Sequence, residues 1–96
     1  MRLVWLARAV DQRDSQLDYI AAQSPAAAIR IGEQVALQVA QLAATPALGR
    51  PGRIEGTREL VIARTPLIAV YRINEPQGRV EILAILHGAQ MWPPIE

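Results

Sequence analysis

The apolar residues of this chain change their spacing once, near its middle. From Val10 to Leu42 they recur every three or four positions, and from Arg58 to His87 they alternate or run together. A period near 3.6 describes helices and a period of two describes strands, so helices are followed by a sheet. The expected class is α+β, in two layers. With 96 residues the chain fills one hydrophobic core, and residues 1–96 are read as a single domain.

Arg2 to Leu6 is a short apolar run that reads as a first strand. From Ala7 to about residue 22, Val10, Leu17, Ile20 and Ala21 form one helical face, with Asp11, Gln12, Asp14 and Asp18 opposite; the acids are expected in the N-terminal turns, where the macrodipole favours them. Ser24-Pro25 starts a second helix, since Ser caps free amides and Pro at the first position has none to leave unpaired. Ala28, Ile31, Val35, Val39 and Leu42 are its buried face, up to Thr45-Pro46. The two helices make an antiparallel hairpin.

Ala47 to Thr57, rich in Gly, Pro and Arg, reads as a surface loop. Arg58–Ile62, Leu67–Ile73 and Arg79–His87 then form a three-stranded antiparallel meander, linked by Thr65-Pro66 and by Asn74 to Gly78. Strict alternation places Val80, Ile82, Ala84 and Leu86 on one face of the last strand and Arg79, Glu81, Leu83, Ile85 and His87 on the other. One helical hairpin covers one face, so Leu83 and Ile85 are expected on an open face, beneath either the Met91–Ile95 tail or a partner. Arg72 belongs on that open face too, within reach of Glu81 and His87, because burying it unpaired would cost several kcal/mol.

Net charge is +1, and all ten basic residues are Arg. Between Gly49 and Arg72 five arginines face two glutamates, so positive potential gathers there. With one His and no Cys, neither a disulfide framework nor a transition-metal cluster is expected, and no cofactor is implied. The glycines at 49, 52 and 56 match neither a Walker loop nor GxGxxG. No apolar run reaches the length of a membrane span, and no export signal is visible.

Several segments in order carry a resemblance: Thr45-Pro46, Gly56-Thr57-Arg58-Glu59-Leu60, Val70-Tyr71-Arg72-Ile73 and Leu86-His87-Gly88-Ala89-Gln90-Met91-Trp92-Pro93. With the order of elements, they make the chain similar to RelE/ParE-superfamily toxins of type II toxin–antitoxin modules. The resemblance implies a cytoplasmic, growth-inhibiting protein, associated with plasmid stabilisation, that is neutralised by a cognate antitoxin in a heteromeric complex; it leaves a homodimer open. RelE-like members of the superfamily cut mRNA in the ribosomal A site as metal-independent endoribonucleases, and ParE-like members inhibit DNA gyrase.

Cleavage of RNA without a metal needs a base, a cation for the phosphorane and an acid. The candidates for those roles are His87, Arg72, Glu59 and Arg58. RelE-like sequences usually place an arginine three positions before the strand tyrosine, where this chain has Ile68. Arg72 lies about 13 Å further along the strand at ~3.3 Å per residue. The ParE-like branch is therefore favoured, with Arg50, Arg53, Leu83, Ile85 and Trp92 as candidates for contact with target or antitoxin.

Overall fold

The computed structural model of the protein describes residues 1–89 and Trp92. Strand β1 (Arg2–Trp5) leads into helices α1 (Ala7–Gln23) and α2 (Pro25–Ala40). Two 3₁₀ turns (Gln41–Ala43 and Pro46–Leu48) precede strands β2 (Arg50–Pro51), β3 (Arg58–Val61), β4 (Leu67–Asn74) and β5 (Arg79–His87). The strands form one sheet in the order β1-β5-β4-β3-β2. β3, β4 and β5 are the expected antiparallel meander, and β1 lies parallel to β5 at one edge.

Local chemistry explains the helical boundaries. The Ser24 hydroxyl accepts from the Ala27 N–H at 3.2 Å, Pro25 occupies the first turn of α2, and the Ser24 N–H closes α1 on the Ile20 carbonyl. The macrodipole expectation for α1 is corrected: the helix begins at Ala7, and its first turn holds no acid. Asp11, Asp14 and Asp18 lie beyond it, where the dipole has little effect. The region from Ala47 to Thr57 is also more ordered than a plain loop. It contains a 3₁₀ turn and β2, whose Arg50 and Pro51 oppose Glu59 and Arg58. Two residues ending in proline suit a sheet edge, because proline has no N–H to offer a further strand.

Ile31, Val35, Val39 and Leu42 pack with Leu67, Ala69, Tyr71, Val80, Ile82 and Ile85 between the helices and the sheet. A smaller cluster of Ile68, Val70, Ala84 and Leu86 occupies the other face, against Trp92. This division corrects the alternation expected for β5. Val70 pairs with Ala84 while Tyr71 pairs with Ile82, so Leu83 is an extra residue, a β-bulge. The bulge reverses the parity of everything after it. Ile85 therefore turns under α1, where it is 1% exposed, and the Gln12 side chain accepts its backbone N–H at 2.9 Å. Ala84 and Leu86 take the opposite face. Ile85 is a core residue and offers no contact surface to a target or antitoxin.

Candidate interaction surface

The face of the sheet away from the helices is built around two buried carboxylates. Glu59 on β3 lies on the same side as its strand partner Val70, almost completely buried. Its carboxylate accepts from an Arg50 terminal nitrogen and from the Arg53 backbone N–H, both at 3.0 Å, with the Arg53 Nε at 3.5 Å. Burial pushes the Glu59 pKa up, but the hydrogen bonds and charges of Arg53 and Arg50 outweigh it and leave the group below its usual value. This carboxylate ties the 50–53 segment to the sheet.

Glu81 on β5 stands opposite Arg72 on β4 and is equally buried. It accepts from Arg72 Nε and Arg79 Nε, each at 2.5 Å, and from the Asn74 amide at 3.2 Å. The hydrogen bond from Arg72 is the main cause that lowers its pKa to about 2, with Arg79 and Asn74 adding to it against the effect of burial. The expected Arg72–Glu81 pairing is thus present, with Arg72 itself on the exposed side.

Beneath the loop, Tyr71 is fully buried on the helix side. Its hydroxyl donates to the Pro46 carbonyl at 2.6 Å and accepts from the Gly49 N–H at 2.8 Å. Burial raises its pKa, so the phenol stays protonated and able to donate. Arg58, opposite Tyr71, donates to the Gly49 carbonyl at 2.8 Å. Sheet, 3₁₀ turn and loop are consequently one assembly.

Between that loop and β5 lies a groove of about 440 Å³, lined by Val70, Arg72, Leu83 and Trp92, by Ile54 to Thr57, and by Arg8 from the start of α1. Trp92 packs on the cluster of Ile68, Val70, Ala84 and Leu86, and its indole nitrogen is buried without a hydrogen-bond partner. Part of the open face is therefore covered by the chain's own Trp92, although Met91 and residues 93–95 of the expected tail lie outside the described residues. Leu83 remains half-buried at the groove.

Of the four residues considered for RNA cleavage, Glu59 and Arg72 share the open face on adjacent strands, Glu59 opposite Val70 and Arg72 two residues further along β4, while Arg58 and His87 lie apart from them. His87 pairs with Leu67, five residues along β4 from Arg72, or about 17 Å at ~3.3 Å per residue. Leu67 belongs to the helix-side core, so His87 does not share a face with Arg72. The His87 Nδ1 accepts from the Ala89 N–H at 3.1 Å, holding the turn after β5. Glu59 is engaged by Arg50 and Arg53, and Arg58 is engaged by backbone carbonyls. The loop arginines 50 and 53 are partly exposed but serve the fold as anchors. Among the described residues, no three His, Cys, Asp or Glu side chains come together as a metal site.

Arg8 and Ile54 line the groove without any motif of the sequence pointing to them. In the sequence Arg8 is a lone charge just after the first strand. A signal for its role existed in the parallel course of β1, which returns the start of α1 to the middle of β5, but no residue pattern announced that pairing.

Comparison with known proteins places this architecture in company. Residues 3–92 match the family model described as ParE toxin of type II toxin-antitoxin system, parDE. A curated protein of Sinorhizobium fredii, "Putative toxin Y4kP", is 44% identical over 94 residues, covering 98% of this chain and 95% of its own. Among solved structures, the chromosomal ParDE toxin–antitoxin system from P. aeruginosa aligns with a TM-score of 0.80 at 28% identity, over 91% of this chain and 95% of that one. The RelBE2 toxin–antitoxin complex from Mycobacterium tuberculosis aligns at 0.59 and 21% identity, over 90% and 95%, a likeness of fold alone.

Proposed function

For a chain that belongs to the ParE toxin family of type II toxin–antitoxin systems, we propose a function exerted by contact: the free protein binds DNA gyrase in the cytoplasm and arrests growth, and a cognate antitoxin silences it by covering the open face of the sheet. The observation that carries this reading is the groove of Arg8, Arg72, Leu83 and Trp92 on that face, coupled with the separation of His87 and Arg58 from Glu59 and Arg72. A cutting site needs its acid, base and cation within hydrogen-bond reach of one phosphate. An inhibitory contact needs only a shaped, partly apolar surface with anchoring charges.

The solved relative described as a chromosomal ParDE toxin–antitoxin system, 28% identical to this chain, supports an antitoxin as partner. Induction of the protein alone should arrest growth, and co-expression of the product of the adjacent reading frame should restore it. Unimpaired growth on induction would refute the toxin reading. Arrest with normal plasmid supercoiling would refute the gyrase reading while leaving the toxin reading intact. No helix among the described residues is long and apolar enough to cross a membrane.

A further inference from the structure

Helix α2 turns a largely apolar side to solvent. We infer that this side is the contact of a symmetric homodimer, in which the ridge Ile29-Glu33-Leu37 of each copy seats against the row Gly32-Ala36-Ala40 of the other and Glu33 meets the partner's Arg13. The inference is independent of the proposed target and antitoxin, which are assigned to the opposite face of the sheet.

A surface helix that packs one stripe on a core normally carries polar residues opposite it. In α2 they stand elsewhere. Ile31, Val35 and Val39 are buried, and the amides lie on one flank: Gln38 exchanges hydrogen bonds with the Ala63 backbone at 2.7 and 2.9 Å, and Gln34 and Arg30 hold Arg64 at 3.2 and 3.0 Å. The outer side is left to Ala26, Ile29, Ala36, Leu37 and Ala40, all exposed, with Ile29 at 65% and Leu37 at 62%. Of the exposed residues of α2 only Arg30 and Glu33 are charged. An apolar stripe with so little charge marks a contact surface.

The occupant follows from the relief and charge of the stripe. Residues four apart form a ridge on a helix, and two helices whose ridges of this kind interdigitate cross at about −50°. Ile29, Glu33 and Leu37 make such a ridge, and the adjoining row of Gly32, Ala36 and Ala40 is small enough to leave a groove beside it. Ridge and groove on one surface are what a two-fold contact requires, since each copy must offer both. Next to the row opens a cleft of about 270 Å³ walled by Trp5, Arg13 and Leu17. The charges are complementary in the same way. Among the described residues, nothing in the chain pairs with Glu33. Arg13 uses Nε on Asp14 at 3.1 Å and lies 5.0 Å over the Trp5 ring, leaving its terminal nitrogens unengaged. A ridge entering the groove brings Glu33 to that guanidinium, twice by symmetry. A face of 16 residues, about 24 Å long at ~1.5 Å per residue, is smaller than the ~800 Å² a side of a standard interface, so the dimer belongs to the weak, reversible class. The helices lie on one side of the sheet and the cluster around Trp92 on the other, so both open faces stay free in the dimer.

Sedimentation equilibrium of the intact protein tests this. Between about 5 and about 500 µM the mass should rise from 10.5 kDa toward twice that value, as a small interface implies. Leu37→Arg, at an exposed position on the ridge, should raise the dissociation constant about tenfold or more. A charge exchange probes the pairing itself. Glu33→Arg and Arg13→Glu should each stay monomeric across the range, and an equimolar mixture of the two should associate, because each copy then meets the opposite charge. A parent that is monomeric throughout, a dimer unchanged by Leu37→Arg, or two folded charge variants that fail to associate on mixing would overturn the inference. It would fall equally if the product of the adjacent reading frame bound a parent that never dimerises and lost that binding in Leu37→Arg, for the face would then belong to the antitoxin.

Discussion

Tyr71 and Gly49 approach so closely that the position has room for hydrogen alone: the Gly49 N–H donates to the Tyr71 hydroxyl at 2.8 Å, and a Cβ on residue 49 would lie 2.7 Å from that same oxygen. The contact fixes where the 46–57 segment leaves the helices, and with it the wall of the groove. Tyr71→Phe removes the donor to Pro46 and the acceptor for Gly49, and should cost about 1–3 kcal/mol in urea denaturation. Gly49→Ala should cost a similar amount by overpacking, because the Glu59 backbone also lies 2.8 Å from the added atom. Since Tyr71→Phe removes one of the colliding atoms, the double variant should be less destabilised than the sum of the single ones, by about 0.5 kcal/mol or more. Strict additivity would contradict the direct contact.

Glu59 and the 50–53 segment give a second expectation. Glu59→Ala strips the segment of its buried anchor and should lower stability by about 1–3 kcal/mol. The local release is the sharper readout. Trypsin should cut after Arg53 faster in the variant, whereas Arg50, followed by Pro51, should stay resistant. Unchanged cleavage at Arg53 would mean that the ion pairs do not hold the segment.

Acid should weaken the fold in a defined window. Glu81 falls from an ordinary value of 4.5 to about 2 in the folded chain, and Glu59 is lowered as well. A carboxyl depressed in the folded state stabilises it fully above the unfolded value, and that contribution fades as pH falls through the folded one. Thermal stability should therefore drop between about pH 4.5 and about pH 2. Glu81→Gln should be less stable than the parent at pH 7, and its pH dependence across the window should be shallower. A parallel decline in both proteins would show that Glu81 contributes nothing to it.

The bulge in β5 separates Leu83 from Ile85. Ile85→Ala opens a cavity beneath α1 and should cost about 2–5 kcal/mol. Leu83→Ala, at the half-buried groove, should cost about 1 kcal/mol while weakening the complex with the antitoxin. If the two substitutions changed stability equally, the parity reversal at Leu83 would be wrong.

What the sequence disclosed, and what it hid, follows from the range of each signal. The helix start at Ser24-Pro25, the buried stripe Ile31, Val35 and Val39, and the three strands of the meander depend on neighbouring residues, and they stand where the spacing put them. The bulge at Leu83 was hidden because residues 82 to 86 are apolar throughout, so an inserted residue leaves no mark on the pattern. β2 was hidden because two residues ending in proline carry no alternation. The pairing of Arg72 with Glu81 was legible because a lone arginine in an apolar strand demands a partner on the next one. The engagement of Arg50 and Arg53 by Glu59 was not, since a hydrophilic loop gives no sign that it folds back onto the sheet. His87 drew attention as the sole histidine, a matter of composition, and its distance from Arg72 emerged only with the strand register.

Inhibition by a surface without cutting chemistry can be read in a supercoiling assay with purified gyrase. The protein should inhibit supercoiling, His87→Ala should inhibit it equally well, and ribosome-bound mRNA should stay intact with either. Undisturbed supercoiling together with mRNA cleavage that disappears in His87→Ala would contradict it.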